Sequence, residues 1–154
     1  ETVAGTTAAV CLMHMQGEPR TMQEAPTYAD VVEDVRCFLA QRVAACVAAG
    51  IASERLCVDP GIGFGKRLEH NLALLAAVDR LADPAIPVLV GVSRKSLVGM
   101  ITGRPAAERL AGSVAFAALA VMQGAAIIRA HDVAETVDAV KVASALRRAA
   151  AGGD

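Results

Sequence analysis

Leu56-Cys57-Val58-Asp59-Pro60-Gly61-Ile62-Gly63-Phe64-Gly65-Lys66 is the stretch on which the reading of the fold turns. An apolar run too short for a helix ends on a carboxylate and breaks at once into a loop with three glycines. The same design recurs three times. Ala9–Met15 (AVCLMHM) ends in Met13-His14-Met15-Gln16-Gly17, and Ile86–Val92 (IPVLVGV) gives way to Ser93-Arg94-Lys95-Ser96. Ala125–Asp132 (AAIIRAHD) closes on Arg129, His131 and Asp132. Between these runs the apolar spacing turns helical. Thr27–Ala49 carries Val31, Val32, Val35, Phe38, Leu39, Val43 and Val47, with Gly50 placed to end it. Further helices are predicted over Leu68–Leu81, from about Ala106 to Gln123, and over Val133–Ala150 before a frayed Gly152-Gly153-Asp154 tail. The order is β-α-β-α-β-α-β-α, an α/β protein with a parallel sheet and right-handed crossovers. Chemistry at the C-terminal tips of successive strands suits both (β/α) barrels and doubly wound sheets. Four units fit a small open sheet or half of an eight-fold barrel.

The bulk composition narrows the function. The chain has 154 residues, 55% hydrophobic and only 3% aromatic, with no Trp, so alanine and aliphatic side chains fill the interior. Fifteen basic against sixteen acidic residues leave a charge of −1, which gives no footprint for nucleic acid. No apolar run is long enough to span a bilayer, and no secretory signal is visible, so no membrane partner is expected. Cys11, Cys37, Cys46 and Cys57 form no CxxC pair and read as small buried hydrophobes kept reduced in a cytoplasm. Glu1 opens the chain without an initiator Met, and Glu1–Ala8 reads as the tail of something upstream; a larger protein is expected. Ala111–Met122 is almost wholly apolar and reads as a helix buried between layers or at a subunit interface.

The loop from Asp59 to Lys66 fails both common phosphate-loop patterns. Pro60 stands where a Walker-A loop needs its first glycine and Arg67 where it needs Ser or Thr; a dinucleotide fingerprint needs a third glycine where Lys66 stands. What remains is a strand-end carboxylate before a supple loop bearing Phe64, suited to a flat amidine-like edge such as a 2-aminopyrimidinone, or else a structural turn. Lys95 and its neighbours read as a solvated loop or an anion clamp, and Gly91 would let a ligand lie against the strand. Arg129 and His131 alternate along a strand end, so both leave on one face, where with Lys95 they would clamp a phosphate or diphosphate. Met13 is a candidate apolar wall for a planar ring, the alternative being ordinary strand packing. His70 reads as surface and Asp132 as the N-cap of the last helix. Glu108–Ser113 (ERLAGS) is placed to hold the site from behind.

Taken together, LMHMQGEPRTMQ (Leu12–Gln23), DPGIGFGK (Asp59–Lys66), VGVSRKS (Val90–Ser96), ERLAGS and IIRAHDV (Ile127–Val133) resemble the dihydropteroate synthases of folate biosynthesis. The resemblance implies a (β/α)8 TIM-type barrel of which residues 1–154 supply the C-terminal four β/α units, strands five to eight. It implies a transferase joining p-aminobenzoate to 7,8-dihydropterin pyrophosphate with release of pyrophosphate. Carried over by motif, Asp59, Lys95, Met13, Gly91 and Arg129 bind the pterin; Ser96, Phe64 and Gly63 border the p-aminobenzoate site; Arg129 and His131 hold the pyrophosphate. Lys95, Arg129 and His131 are thereby the expected catalytic residues. Mg²⁺ is the expected cofactor, its ligand supplied by the missing N-terminal half and none by this segment. That half is the expected partner, a homodimer through the late helices is expected, and the isolated segment is expected to be inactive. Two alternatives stand beside this reading: a pterin-binding domain of a folate/corrinoid methyltransferase, against which the SRKS and RAHD cations argue, and a non-catalytic homologue.

Overall fold

The computed structural model describes residues 2–152. Its four strands are β1 (Val10–Met13), β2 (Leu56–Asp59), β3 (Leu89–Val90) and β4 (Ile127–Ile128). The helices are α1 (Val31–Ala48), α2 (Leu68–Ala76), α3 (Ser96–Thr102), α4 (Leu110–Met122) and α5 (Val133–Ala150). The predicted tail at Gly153-Asp154 lies outside the described residues.

All strand pairs are parallel. β1 pairs with β2 (Cys11 opposite Cys57, Met13 opposite Asp59) and β3 with β4 (Leu89 opposite Ile127). β2 and β3 adjoin through a bridge between Val58 and Val88, where the Val58 N–H donates to the Pro87 carbonyl at 3.0 Å. The sheet therefore runs β1-β2-β3-β4 in chain order and never doubles back, so it is singly wound. Side chains alternate across it. Val10, Leu12, Leu56, Val58, Val88, Val90 and Ile128 face the helices and the core built with Val35, Leu39, Leu74, Val78, Leu97 and Val98. Cys11, Met13, Cys57, Asp59, Leu89, Gly91, Ile127 and Arg129 fall on the other face, which no helix covers among the described residues, leaving Cys11, Met13 and Ile127 exposed.

That open face corrects the expectation for the cysteines. Cys11 is exposed and Cys37, Cys46 and Cys57 are only half-buried, because Cys11 and Cys57 stand on the uncovered side and the other two lie within α1 away from its fully buried residues Val31, Val35 and Leu39. The helix boundaries also differ from the periodicity. Asp30 caps α1, accepting from the Val32 and Glu33 N–H groups at 3.0 and 3.1 Å, so the helix starts at Val31 rather than Thr27. α2 stops at Ala76 and continues as a 3-10 turn over Val78–Arg80. The stretch from Ala106 opens with a 3-10 turn before α4 begins at Leu110. α3 is an element the periodicity did not predict: seven residues are too few for a helical repeat to register, and burial of Leu97 and Val98 holds it. α3 ends at Gly103, where φ is +71°.

Candidate active site

β2 delivers Asp59 to its C-terminal tip, where the side chain is only 4% exposed and Oδ1 accepts the Gly61 N–H at 2.7 Å. The loop beyond folds back over the end of β1. Gly61 has φ +67° and an added Cβ would lie 1.8 Å from the His14 carbonyl oxygen; Gly65 has φ +63° and 2.2 Å to that of Gln16. Only glycine permits either approach. Gly63 donates its N–H to Asn71 Oδ1 at 2.7 Å, and Gln23 Nε2 donates to the Gly63 carbonyl.

Lys66 turns inward beneath this loop and is 3% exposed. Its Nζ lies 3.0 Å from the Phe64 carbonyl, 3.1 Å from that of Gly61 and 2.9 Å from His14 Nδ1. Three acceptors match the three protons of an ammonium group, so His14 accepts at Nδ1 and is neutral. Burial lowers Lys66 from the ordinary lysine value to about 8, with Asp59 opposing the fall. Burial, followed by the Lys66 charge, lowers His14 to about 4. The His14 ring packs edge-on against Phe38 on α1, centroids 4.9 Å apart, so His14 faces the helices while Met13 faces the open side beside Asp59.

The cations come from the two neighbouring strand ends. Arg94 is the one non-glycine residue with positive φ, +59°, among the described residues. Its N–H donates to Ser113 Oγ at 2.9 Å and its carbonyl accepts from Arg109 Nη1 at 3.0 Å, so the ERLAGS segment does brace this turn from behind. The turn sends Lys95 back across the Gly-rich loop: Nζ donates to the Ile62 carbonyl and sits 4.7 Å from the Phe64 ring centroid. Burial lowers Lys95 to about 8, with Asp59 opposing the fall and Arg129 adding to it. The Arg129 guanidinium lies over Gly91, where an added Cβ would come within 2.9 Å of Nη2. Buried Ser93 accepts the His131 N–H at 3.1 Å and contacts His131 Nδ1 at 3.0 Å. Gly91, Ser93, Lys95, Arg129, Ala130 and His131 line one cavity of about 140 Å³.

Asp59, Lys95, Gly91, Arg129 and His131 thus gather at one end of the sheet, with Met13 beside Asp59 and Gly63 and Phe64 beneath Lys95. Ser96 opens α3 next to Lys95 with its side chain exposed. Two expectations are corrected. Asp132 does not cap α5 with its side chain; its carboxylate is held by Arg94, Nε to Oδ2 at 3.0 Å with a second bond from Nη2. His70 is half-buried, accepting the Arg67 N–H at 3.2 Å and packing on Tyr28. Sequence reasoning gave no part to Lys66, Asn71, Ser93 or Gln23. Lys66 and Asn71 carried one signal, polar residues on either side of a helix start that follows a glycine loop, but nothing said which way they point.

A parallel sheet whose tips collect a carboxylate and several cations around a cleft defines an α/β ligand-binding site of enzyme type. The chain belongs to the pterin binding enzyme family, whose model matches residues 1–131. It is 52% identical over 145 residues to the dihydropteroate synthase of Escherichia coli K12, an alignment covering 94% of this chain and 51% of that protein. With the folate synthesis bifunctional protein of Arabidopsis thaliana it shares 37% identity, covering 94% of this chain and 32% of that protein. Among solved structures it superposes on Burkholderia cenocepacia dihydropteroate synthase complexed with 7,8-dihydropteroate with a TM-score of 0.88 at 52% identity, covering 97% of this chain and 56% of that one. The Yersinia pestis enzyme in a sulfonamide drug complex gives 0.87 at 51% identity, covering 92% and 52%. The chain spans about half the length of these bacterial synthases.

Proposed function

We propose that residues 1–154 are the C-terminal half of a (β/α)8 barrel with dihydropteroate synthase activity, condensing 7,8-dihydropterin pyrophosphate with p-aminobenzoate. The observation that carries the reading is the convergence of one buried acid, Asp59, with Lys95, Arg129 and His131 from three adjacent strand ends. Asp59 accepts N–H bonds from the amino-pyrimidinone edge of the pterin. Lys95 reaches the ring from the opposite side, and Met13 and Gly91 line its slot. Gly63, Phe64 and Ser96 border the p-aminobenzoate. Arg129 and His131 hold the diphosphate.

The arylamine is a weak nucleophile, so the leaving group does most of the work. The amine nitrogen forms a bond to the pterin methylene carbon as the C–O bond breaks. Pyrophosphate departs with the electron pair, and the surplus N–H proton passes to solvent. Cations preorganised on the departing diphosphate oppose its growing charge, each donor contributing about 3–4 kcal/mol.

Several features support a half barrel. The sheet is singly wound, β1 and β4 pair on one side only among the described residues, and the face bearing Met13 and Ile127 is open. A cleft of about 540 Å³ runs beside β4 and α5, lined by Ile128, Val133, Val137 and Val140, where the missing half would seat. For Mg²⁺ the residues present do not fit: no three His, Cys, Asp or Glu side chains gather among the described residues, and the nearest acids are engaged, Asp59 by Gly61 and Asp132 by Arg94. Its ligand would come from the other half. A homodimer through α4 and α5 is supported by their exposed apolar residues, including Val142 (70% exposed) and Leu146 (60%). No described helix is long and apolar enough to cross a membrane, and a cytoplasmic setting is taken from the kind of enzyme proposed.

The test is pyrophosphate release from the intact protein, or from this half co-expressed with its N-terminal half, on addition of p-aminobenzoate. Lys95→Ala and Arg129→Ala each cut turnover roughly 10²–10³-fold with little change in Tm. No pyrophosphate release by the wild type refutes the reading, and parallel losses of turnover and Tm make these residues structural.

A further inference from the structure

The two loops that carry the cations are joined by a series of links in the sheet's own register. Leu89 and Val90 pair with Ile127 and Ile128 as backbone partners. At the same offset along the chain, Arg129 packs over Gly91, His131 bonds to Ser93, and Asp132 is gripped by Arg94. Side chains thus continue the β3–β4 ladder beyond its last backbone pair. The outermost rung is the unusual one. There Arg94 holds a left-handed backbone that a side chain adopts only at a cost, and Ser113 and Arg109 hold that conformation from behind. An ion pair open to solvent on the Arg94 side, with side chains 44% and 16% exposed, is a weak stabiliser, so added stability alone is a poor account of this rung. A two-point Arg–carboxylate contact is directional, and that is what a positioning device needs.

We infer that Arg94 and Asp132 are a positioning pair that locks the Lys95 loop to the Arg129–His131 loop and so keeps the pterin-ring contact of Lys95 in register with the diphosphate contacts of Arg129 and His131. The inference rests on the function proposed above and extends it to residues that do not touch substrate. Without the rung, Ser93 still holds His131, but the turn that aims Lys95 is free to rotate. Lys95 on the pterin ring and Arg129 and His131 on the diphosphate then lose their common register, while the arylamine side is disturbed less, because Gly63 is held separately by Asn71 and Gln23.

Arg94→Gly, Asp132→Asn and the double variant, made in the intact protein, test this by calorimetric titration with inorganic pyrophosphate, by Tm and by steady-state kinetics. Each single variant weakens pyrophosphate binding and raises KM for the pterin diphosphate roughly 10- to 100-fold, the range that small misplacements of a clamp produce. KM for p-aminobenzoate changes far less. Arg94→Gly keeps or raises Tm, because glycine relieves the backbone. The double variant is no worse than the weaker single, because both changes break one link. Single variants that bind pyrophosphate like the wild type, additive losses in the double variant, or losses shared equally by both substrates and Tm overturn the inference alone. Wild-type protein that binds no pyrophosphate overturns the proposed function and this inference with it.

Discussion

Replacing Gly61 by alanine tests how the carboxylate loop is mounted on β1. Gly61 combines φ of +67° with an ideal Cβ position 1.8 Å from the His14 carbonyl oxygen. The backbone conformation alone costs a side chain about 1–2 kcal/mol. The overlap is with backbone, so relief requires the loop and the β1 end to part, a repacking that typically costs about 1–3 kcal/mol more. The total of roughly 2–5 kcal/mol corresponds to a fall in Tm of about 5–15 °C. It also strikes the site, because parting the two disturbs both the Gly61 N–H bond to Asp59 and the 2.9–3.1 Å contacts of Lys66. The control is Gly103→Ala, where φ is +71° and nothing lies within 4 Å of the added atom, so only the first cost applies. Denaturant titration and calorimetry on both variants separate the terms. If Gly61→Ala loses no more stability than Gly103→Ala, the loop does not rest on the His14 carbonyl and the account of its rigidity fails.

Two further outcomes follow from the same geometry. His14 titrates near 4 rather than near 6.5, so the folded state binds fewer protons than the unfolded one between those values. Its contribution of up to about 3 kcal/mol is complete above about pH 6.5 and is lost as pH falls towards 4; His14→Asn flattens that part of a stability-against-pH curve, and an unchanged slope refutes the assignment. Leu146→Asp on α5 converts the proposed dimer of the intact protein to monomer in sedimentation velocity, whereas a wild type that is already monomeric ends the case for α4 and α5 as the interface.

The sequence by itself determined the alternation of strands and helices, the parallel sheet, and the strand tips at which chemistry collects. It did so because a buried parallel strand must be continuously apolar, so the first polar residues, Asp59 and Ser93, fall at the end of β2 and just past the end of β3. The period of two along a strand also placed Arg129 and His131 on one side. The tertiary structure decided the rest. Strand order has no signature in a single run of residues, and only the Val58–Val88 bridge makes the sheet singly wound rather than doubled back. The directions of Lys66, into its own loop, and of Asp132, towards Arg94 instead of its helix, depend on partners 52 and 38 positions away in the chain. A charged side chain takes the nearest partner that compensates its burial or completes its geometry, and which partner is nearest is fixed only once the strands have been laid side by side.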